Sequence, residues 1–456
     1  MFERLPPPAS TPPAARFLVA ATAPGPAATP ASAYESSTAY VELKVRMHRK
    51  LIGMINLAAI EQLEPADFRA QFSDIVNEVL AGEQIPLNGA ERARLATDIL
   101  DEFLGLGPIE PLLKDITVTD ILVNTYRHVY VERRGRLEPT EVRFKDNGHL
   151  LRIIDKIVSR VGRRIDESCP MVDARLADGS RINAVVAPIA VDGPVLSIRK
   201  FSEKPYSLEH LANFGSLTTE MASVLAALVK CRFNILISGG TGSGKTTLLN
   251  AMSRYIGEQE RIVTIEDAAE LRLQQSHVVR LETRPSNVEG QGEIVQRDLV
   301  KNALRMRPDR IIVGEARGAE AFDMLQAMNT GHDGSMTTIH ANTCRDALGR
   351  VEQMISIAGL DLPIRSIRAQ IASALDVVVQ LSRFSDGVRR VVSIQEITGM
   401  EGDVIAMQEI FEFRQRSVDA DGRILGAFGA TGVRPMFIER LAVQGVHLSL
   451  SPPAAG

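Results

Sequence analysis

The sequence contains no tryptophan, three cysteines and only 5% aromatic residues in 456 positions. Cys169, Cys231 and Cys344 stand far apart, so they form neither a disulfide framework nor a C-x-x-C zinc site, and their number suits a reducing compartment. No run of 18 apolar residues occurs, so no membrane-spanning helix is expected. Phe17 to Ala21 is too short an apolar segment, and too closely set among prolines, for a secretory signal. The expected location is therefore cytosolic. A formal charge of -4 supplies no basic field for nucleic acid, and the missing tryptophan removes the best stacking platform for single strands. No nucleic-acid partner is expected.

What is present is concentrated in residues 231–250, CRFNILISGGTGSGKTTLLN. The apolar run Ile235-Leu236-Ile237 predicts a strand, and Leu248-Leu249 lies on the helix that should follow the glycine-rich turn. Between them Gly239 to Thr246 carry the pattern G-x-x-x-x-G-K-[ST], and Gly240, Thr241, Gly242, Ser243, Gly244, Lys245, Thr246 and Thr247 are the residues expected to hold the nucleotide. The glycines let the backbone wrap a phosphate with its N–H groups inward, and the helix N-terminus adds positive potential. Lys245 would reach the outer phosphates and the Thr246 hydroxyl would ligate Mg²⁺. A nucleoside triphosphate with Mg²⁺ is the expected ligand.

Three clusters follow at the ends of expected strands. Ile262 to Ile265 leads into Glu266-Asp267, and a carboxylate there would face the nucleotide crevice and orient or deprotonate water. Arg310 to Val313 leads into Gly314-Glu315, an apolar strand ending in an acid able to reach a metal-bound water. The stretch from Gly331 to Asn342 holds His332 and His340, whose spacing is not that of a helical zinc motif. His340, and less so His332, is a candidate sensor of the terminal phosphate.

The chain reads as five segments: a Pro/Ala-rich disordered arm at 1–36, helices at 37–104, an α+β region at 105–201, a linker at 202–209, and alternating strands and helices from 210 to 456. In the helical segment Val41, Val45, His48 and Ile52 make one stripe and Leu95, Ile99 and Phe103 another. In the α+β region strands are expected at Ile121–Val123, His128–Val131, Val142–Phe144, Arg181–Val186 and Val195–Phe201, with a helix over 147–162. Arg175, Arg181 and Arg199 lie in or beside those strands. Near the end, Asp421 to Gly432 reads as a glycine-rich stretch and Arg434 to Val443 as a short helix.

Taken together, LISGGTGSGKTTLLNAM, TIEDAAEL, RPDRIIVGEARGAEA and TGHDGSMTTIHAN resemble the Walker A, Asp box, Walker B and His box of the type II/type IV secretion and pilus ATPases. GLGPIEPLLKD, DARLADGSRINAVVAP, SIRKF and IRAQIASALDVVVQ are similar to the CpaF/TadA branch, the motor of tight-adherence pili. The tetracysteine zinc element of the GspE and PilB branches is absent, which argues against those branches. The resemblance implies an α/β fold: a RecA-like P-loop domain preceded by a PAS-like α+β domain and an N-terminal helical bundle. It implies a homohexameric ATP hydrolase that acts on inner-membrane platform proteins to assemble or retract a pilus. Glu266 would then activate water, Glu315 would hold the Mg²⁺ water shell, and His340 would sense the γ-phosphate. Arg181 and Arg199 resemble the family's arginines that approach the phosphates, from the same or a neighbouring subunit. The alternatives are a type IV secretion traffic ATPase and a nucleotide switch with little hydrolysis; a pure binder has no need of both Glu266 and Glu315.

Overall fold

The computed structural model describes residues 88–448 apart from 104, 134, 177, 202–204, 285 and 287–290, together with 43, 46–47, 50, 75–76, 78–80 and 82. The proposed arm at 1–36, the stripe of Val41, Val45, His48 and Ile52, and part of the linker lie outside the described residues. The chain divides into two compact units, Met1–Glu110 and Pro111–Gly456.

In the first unit the helix Gly89–Phe103 starts on a reciprocal cap. The Glu91 carboxylate accepts from Asn88 N–H at 2.8 Å and the Asn88 side chain accepts from Glu91 N–H at 2.9 Å. Leu95 and Ile99 are buried as their spacing predicts, in a small core with Leu43, Met47, Val76, Val79 and Leu80.

The second unit contains two sheets. The first is antiparallel, built from β1 (Val118–Thr125), β2 (His128–Arg133), β3 (Arg136–Pro139), β4 (Met171–Arg175), β5 (Arg181–Val185) and β6 (Val195–Arg199) in the order β3-β2-β1-β6-β5-β4. The strand expected at Val142–Phe144 does not form. Gly135, at φ 79°, turns the chain early, so β3 pairs with β2 and ends at Pro139. Phe144 instead packs edge-on against His149, at 5.5 Å between ring centres, near the start of the helix Asn147–Arg160. That helix is capped by Asp146, which accepts from His149 N–H at 2.7 Å, and it buries Leu150, Ile153, Ile154 and Ile157 as the periodicity predicts.

The second sheet has nine strands: β7 (Ile235–Gly239), β8 (Ile262–Glu266), β9 (Val278–Glu282), β10 (Arg310–Val313), β11 (Met336–Ile339), β12 (Val377–Arg383), β13 (Arg389–Glu401), β14 (Val404–Val418) and β15 (Ile424–Ala430). Their order is β15-β14-β13-β12-β7-β11-β10-β8-β9. From β12 to β9 every pairing is parallel, and β12 to β15 form an antiparallel extension. The parallel strands are apolar on both faces because both are covered. Ile235 and Ile237 enter one core with the helices Thr219–Lys230 and Lys245–Ser253. Leu236 enters the other, with Val263, Ile311 and the helices Glu320–Asn329, Cys344–Ile357 and Ile364–Ala374. The glycine-rich stretch after Asp421 contains a full strand, β15, paired with β14. There Gly426 lies where a Cβ would collide with the Phe413 ring, so the glycine serves close packing rather than a loop. Among the described residues no helix is long and apolar enough to cross a membrane.

At the amino end of β10 the side chain of Arg310 is fully buried. Its Nε and Nη2 donate to Glu260 at 2.7 and 2.9 Å, and its Nη1 donates to the Val229 carbonyl at 2.7 Å. Removing one member of such a pair strands the other charge in a low-dielectric site. Arg310→Ala should therefore lose about 3–5 kcal/mol of stability, read from the midpoint of chemical unfolding, while Arg232→Ala, whose more exposed side chain also pairs with Glu260, should lose about 1 kcal/mol or less.

Candidate functional site

The strands β7, β11, β10 and β8 have the candidate site residues at their carboxyl ends, where a parallel sheet opens a crevice. After β7 the loop turns through Gly242 (φ 67°) and Gly244 (φ 98°) into the helix Lys245–Ser253, conformations open to glycine without strain. Gly239 is equally constrained: a Cβ there would lie 2.8 Å from the Leu381 carbonyl of the neighbouring strand. Lys245 is buried, and its ammonium donates to the Gly239 and Gly240 carbonyls at 2.9 and 3.0 Å. Burial lowers its pKa, with the nearby Glu315 acting in the opposite sense. Thr246 and Thr247 stand half-buried in the first helical turn.

Glu266 closes β8 with only 3% of its surface exposed. Its Oε1 accepts two backbone N–H groups, from Glu270 and Leu271, both at 2.8 Å, while Oε2 is buried with no hydrogen-bond partner. Burial outweighs those two bonds and raises its pKa to about 7. The glycine before Glu315 has a reason here: a Cβ on Gly314 would come within 2.9 Å of the Glu266 Cγ. Glu315 itself meets Arg317 at 2.5 and 2.7 Å and approaches His340 Nε2 at 2.6 Å. The same His340 nitrogen lies 3.3 Å from the Lys245 ammonium. One ring nitrogen cannot serve both at once: protonated it donates to Glu315, unprotonated it accepts from Lys245. Burial, and next the Lys245 charge, lower the His340 pKa. Contacts thus join Glu315, His340 and Lys245, and the Glu266 side chain lies beside Gly314, where only a glycine leaves it room. His332 is not in it; its Nδ1 lies 3.2 Å from the Ala327 carbonyl near a helix end.

The sequence arginines are brought together by sheet register. Arg175, Arg181 and Arg199 are directly opposite one another on β4, β5 and β6, and the row continues through Asp120 on β1 to Glu132 on β2. Like charges placed this way repel unless each finds a carboxylate. Arg175 reaches Glu282 and Arg181 reaches Glu270, each at 3.0 Å, and Arg175 also donates to the Ala269 carbonyl, so both meet the segment that follows Glu266. Arg199 instead meets Asp120 at 3.0 Å and is the most exposed of the three. Arg317, Arg383 and Arg389 escaped sequence reasoning. Arg317 bridges Glu315 and Asp267, the latter at 3.2 Å, and its position two residues after Glu315 was the available signal. Arg389 donates from Nε to the Gly242 carbonyl at 2.8 Å, a contact across the fold that no local pattern announces. A cleft of about 700 Å³ opens beyond Asp267, lined by Arg163, Arg175, Arg181, Arg284, Arg317 and Glu320. Among the described residues no cluster of three or more His, Cys, Asp or Glu side chains could hold a metal ion unaided. A divalent ion near Thr246 and Glu315 would need phosphate oxygens and water to complete its shell.

A family model described as type II/IV secretion system protein matches residues 102–428, and one for the N-terminal domain of type II secretion system protein E matches residues 40–104. A Mycobacterium tuberculosis protein provisionally named for conjugal transfer is 40% identical over 325 residues, covering 70% of this chain and 92% of that one. The type IV secretion system protein VirB11 of Bartonella quintana is 34% identical over 317 residues, covering 61% of this chain and 88% of its own. The crystal structure of the VirB11 ATPase from Brucella suis matches at 30% identity over 63% of this chain and 94% of that one, with a TM-score of 0.34.

The buried Glu266 makes a signed prediction. Its pKa stands near 7 in the fold against an ordinary value of 4.5, so the folded chain keeps a proton that the unfolded chain has lost between those values. Stability from this group therefore falls as pH rises through that window, and the cost is complete above 7. Glu266→Gln should raise the thermal midpoint of the nucleotide-free protein at pH 8, by an amount equivalent to about 1–3 kcal/mol, and leave it nearly unchanged at pH 4.5. Equal midpoints at pH 8 would place the burial cost elsewhere.

Proposed function

The chain belongs to the type II/IV secretion system protein family, and from that premise we propose that it is an ATP-hydrolysing motor of a type IV secretion or conjugation machine. The observation that carries the hydrolytic reading is Glu266: a buried carboxylate with one oxygen unpartnered, lying beside Gly314, next to the Glu315 that His340 links to the lysine of a phosphate-binding loop. A nucleotide switch would gain nothing from an acid held at that cost. The named relatives concern conjugal transfer and type IV secretion, which supports the secretion reading over the pilus reading. The tight-adherence pilus motor is the second reading, and it rests on the segments GLGPIEPLLKD, DARLADGSRINAVVAP and SIRKF.

In this reading the backbone N–H groups of Gly240 to Gly244 receive the β-phosphate and Lys245 leaves its loop carbonyls for the β- and γ-phosphates. Thr246 and, through water, Glu315 would hold Mg²⁺, which neutralises developing charge on the phosphates when bound. Glu315 first has to be released from Arg317 and His340. Glu266 takes the proton of the attacking water on its free oxygen, and its raised pKa suits that task near neutral pH. His340, shared between Glu315 and Lys245, reports the presence of the γ-phosphate to both. Arg181 and Arg199 neutralise charge on the transferred group, Arg199 from the more exposed position expected of a residue offered to a neighbouring subunit. The working form is a homohexamer in the cytoplasm, recruited to membrane-embedded partners of the machine.

ATP turnover by full-length protein at several concentrations tests this. Wild-type turnover per chain should rise as rings assemble, with an acidic limb near pH 7 set by Glu266. Glu266→Gln should fall at least roughly a hundredfold, and Gly314→Ala, which pushes a methyl against Glu266, at least roughly tenfold, both while still binding ATP. Full activity in Glu266→Gln would sink the assignment. In cells, loss of DNA or protein transfer in Lys245→Ala supports the secretion reading, and loss of surface pili with transfer intact supports the other.

A further inference from the structure

The phosphate-binding loop is held from outside as well as lined from inside. Arg389 Nε donates to the Gly242 carbonyl of that loop at 2.8 Å. The far end of the same guanidinium reaches Glu132 on β2, with Nη2 3.1 Å from Oε1. The other oxygen of Glu132, Oε2, lies 3.4 Å from Nη2 of Arg383. Arg383 also donates to the Gly135 carbonyl in the β2–β3 turn, and a Cβ on Gly242 would come within 3.3 Å of its Nη1. Arg383 and Arg389 are themselves directly opposite at the mouth of the β12–β13 hairpin. Two guanidinium groups so placed repel, and the carboxylate between them is what allows both to point at the loop. Glu132 is largely buried, and the two turns behind it abut so closely that a Cβ on Gly135 would stand 2.6 Å from the Gly387 carbonyl.

We propose that Glu132 is a positioning residue for nucleotide: through Arg383 and Arg389 it holds the loop in its phosphate-binding shape, so that the antiparallel sheet carrying Arg175, Arg181 and Arg199 sets nucleotide affinity at the far side of the crevice. Glu132 touches no reacting atom and acts through the arginines. The same cross-strand row that ends at Glu132 begins with the arginines at the Glu266 segment, so displacement of this sheet acts on both sides of the nucleotide at once. The inference rests on the reading of residues 239–247 as the nucleotide site.

The test uses the full chain, with Mg·ADP binding by calorimetry, steady-state ATP turnover, and the thermal midpoint without nucleotide. Glu132→Gln and Arg389→Ala should each weaken ADP binding by roughly three- to tenfold, the scale of one ordinary intramolecular hydrogen bond. Both should raise KM for ATP more than they lower kcat. Arg389→Lys, which keeps the charge beside Glu132, should recover part of the loss. If Glu132→Gln binds ADP as wild type does, the proposal is overturned: a lowered midpoint would make Glu132 mere glue between sheets, and a defect confined to Arg389→Ala would make that arginine a direct nucleotide ligand. A separate control guards the premise. If Lys245→Ala binds ADP as tightly as wild type, the nucleotide reading fails, whatever the Glu132 variants do.

Discussion

The central constraint is the parallel pairing of β7 with β12 on one side and β11 on the other. A strand paired on both edges and covered on both faces excludes water along its length. Its carboxyl end is then the first place where the chain can present polar groups to a ligand, and β8, β10 and β11 end beside it. Lys245, Glu266, Glu315 and His340 meet at this rim because the strands that carry them are in one sheet. Without that pairing they are four unrelated points on a chain.

Gathering charges at such a rim is unfavourable, and the structure shows how each is accommodated. Lys245 rests on two loop carbonyls, Glu315 on Arg317, and Glu266 on two backbone N–H groups. Glu266 is the exception in degree, since burial wins over its two hydrogen bonds and raises its pKa to about 7. A fold optimised for stability alone would place glutamine or an apolar residue there.

The glycine-rich turn before Lys245 was legible because its conformation is local. Glycine at 242 and 244 is demanded by backbone conformation, and lysine and threonine follow at the helix start. Glu266, Glu315 and His340 were legible as polar residues ending apolar runs. The failures have equally physical causes. Val142 to Phe144 has strand composition, yet Gly135 turned the chain early and the partner edge was taken by Arg136–Pro139. Ile424 to Ala430 has the glycine content of a loop, yet Gly426 lets the Phe413 ring of β14 lie against it.

The sequence by itself determined the local conformations: the glycine turn, the apolar strands buried on both faces, the capped helices, and the acids at strand ends. It could do so because dihedral preference and periodicity act between residues a few positions apart. Tertiary structure alone decided the register that sets Arg175, Arg181, Arg199, Asp120 and Glu132 in one row, and the meeting of Arg389 with Gly242. Register depends on which strand lies beside which, and a slip of one residue would turn every one of those side chains to the opposite face. The raised pKa of Glu266 belongs to the same class, because burial is a property of the packed neighbourhood and not of the residue.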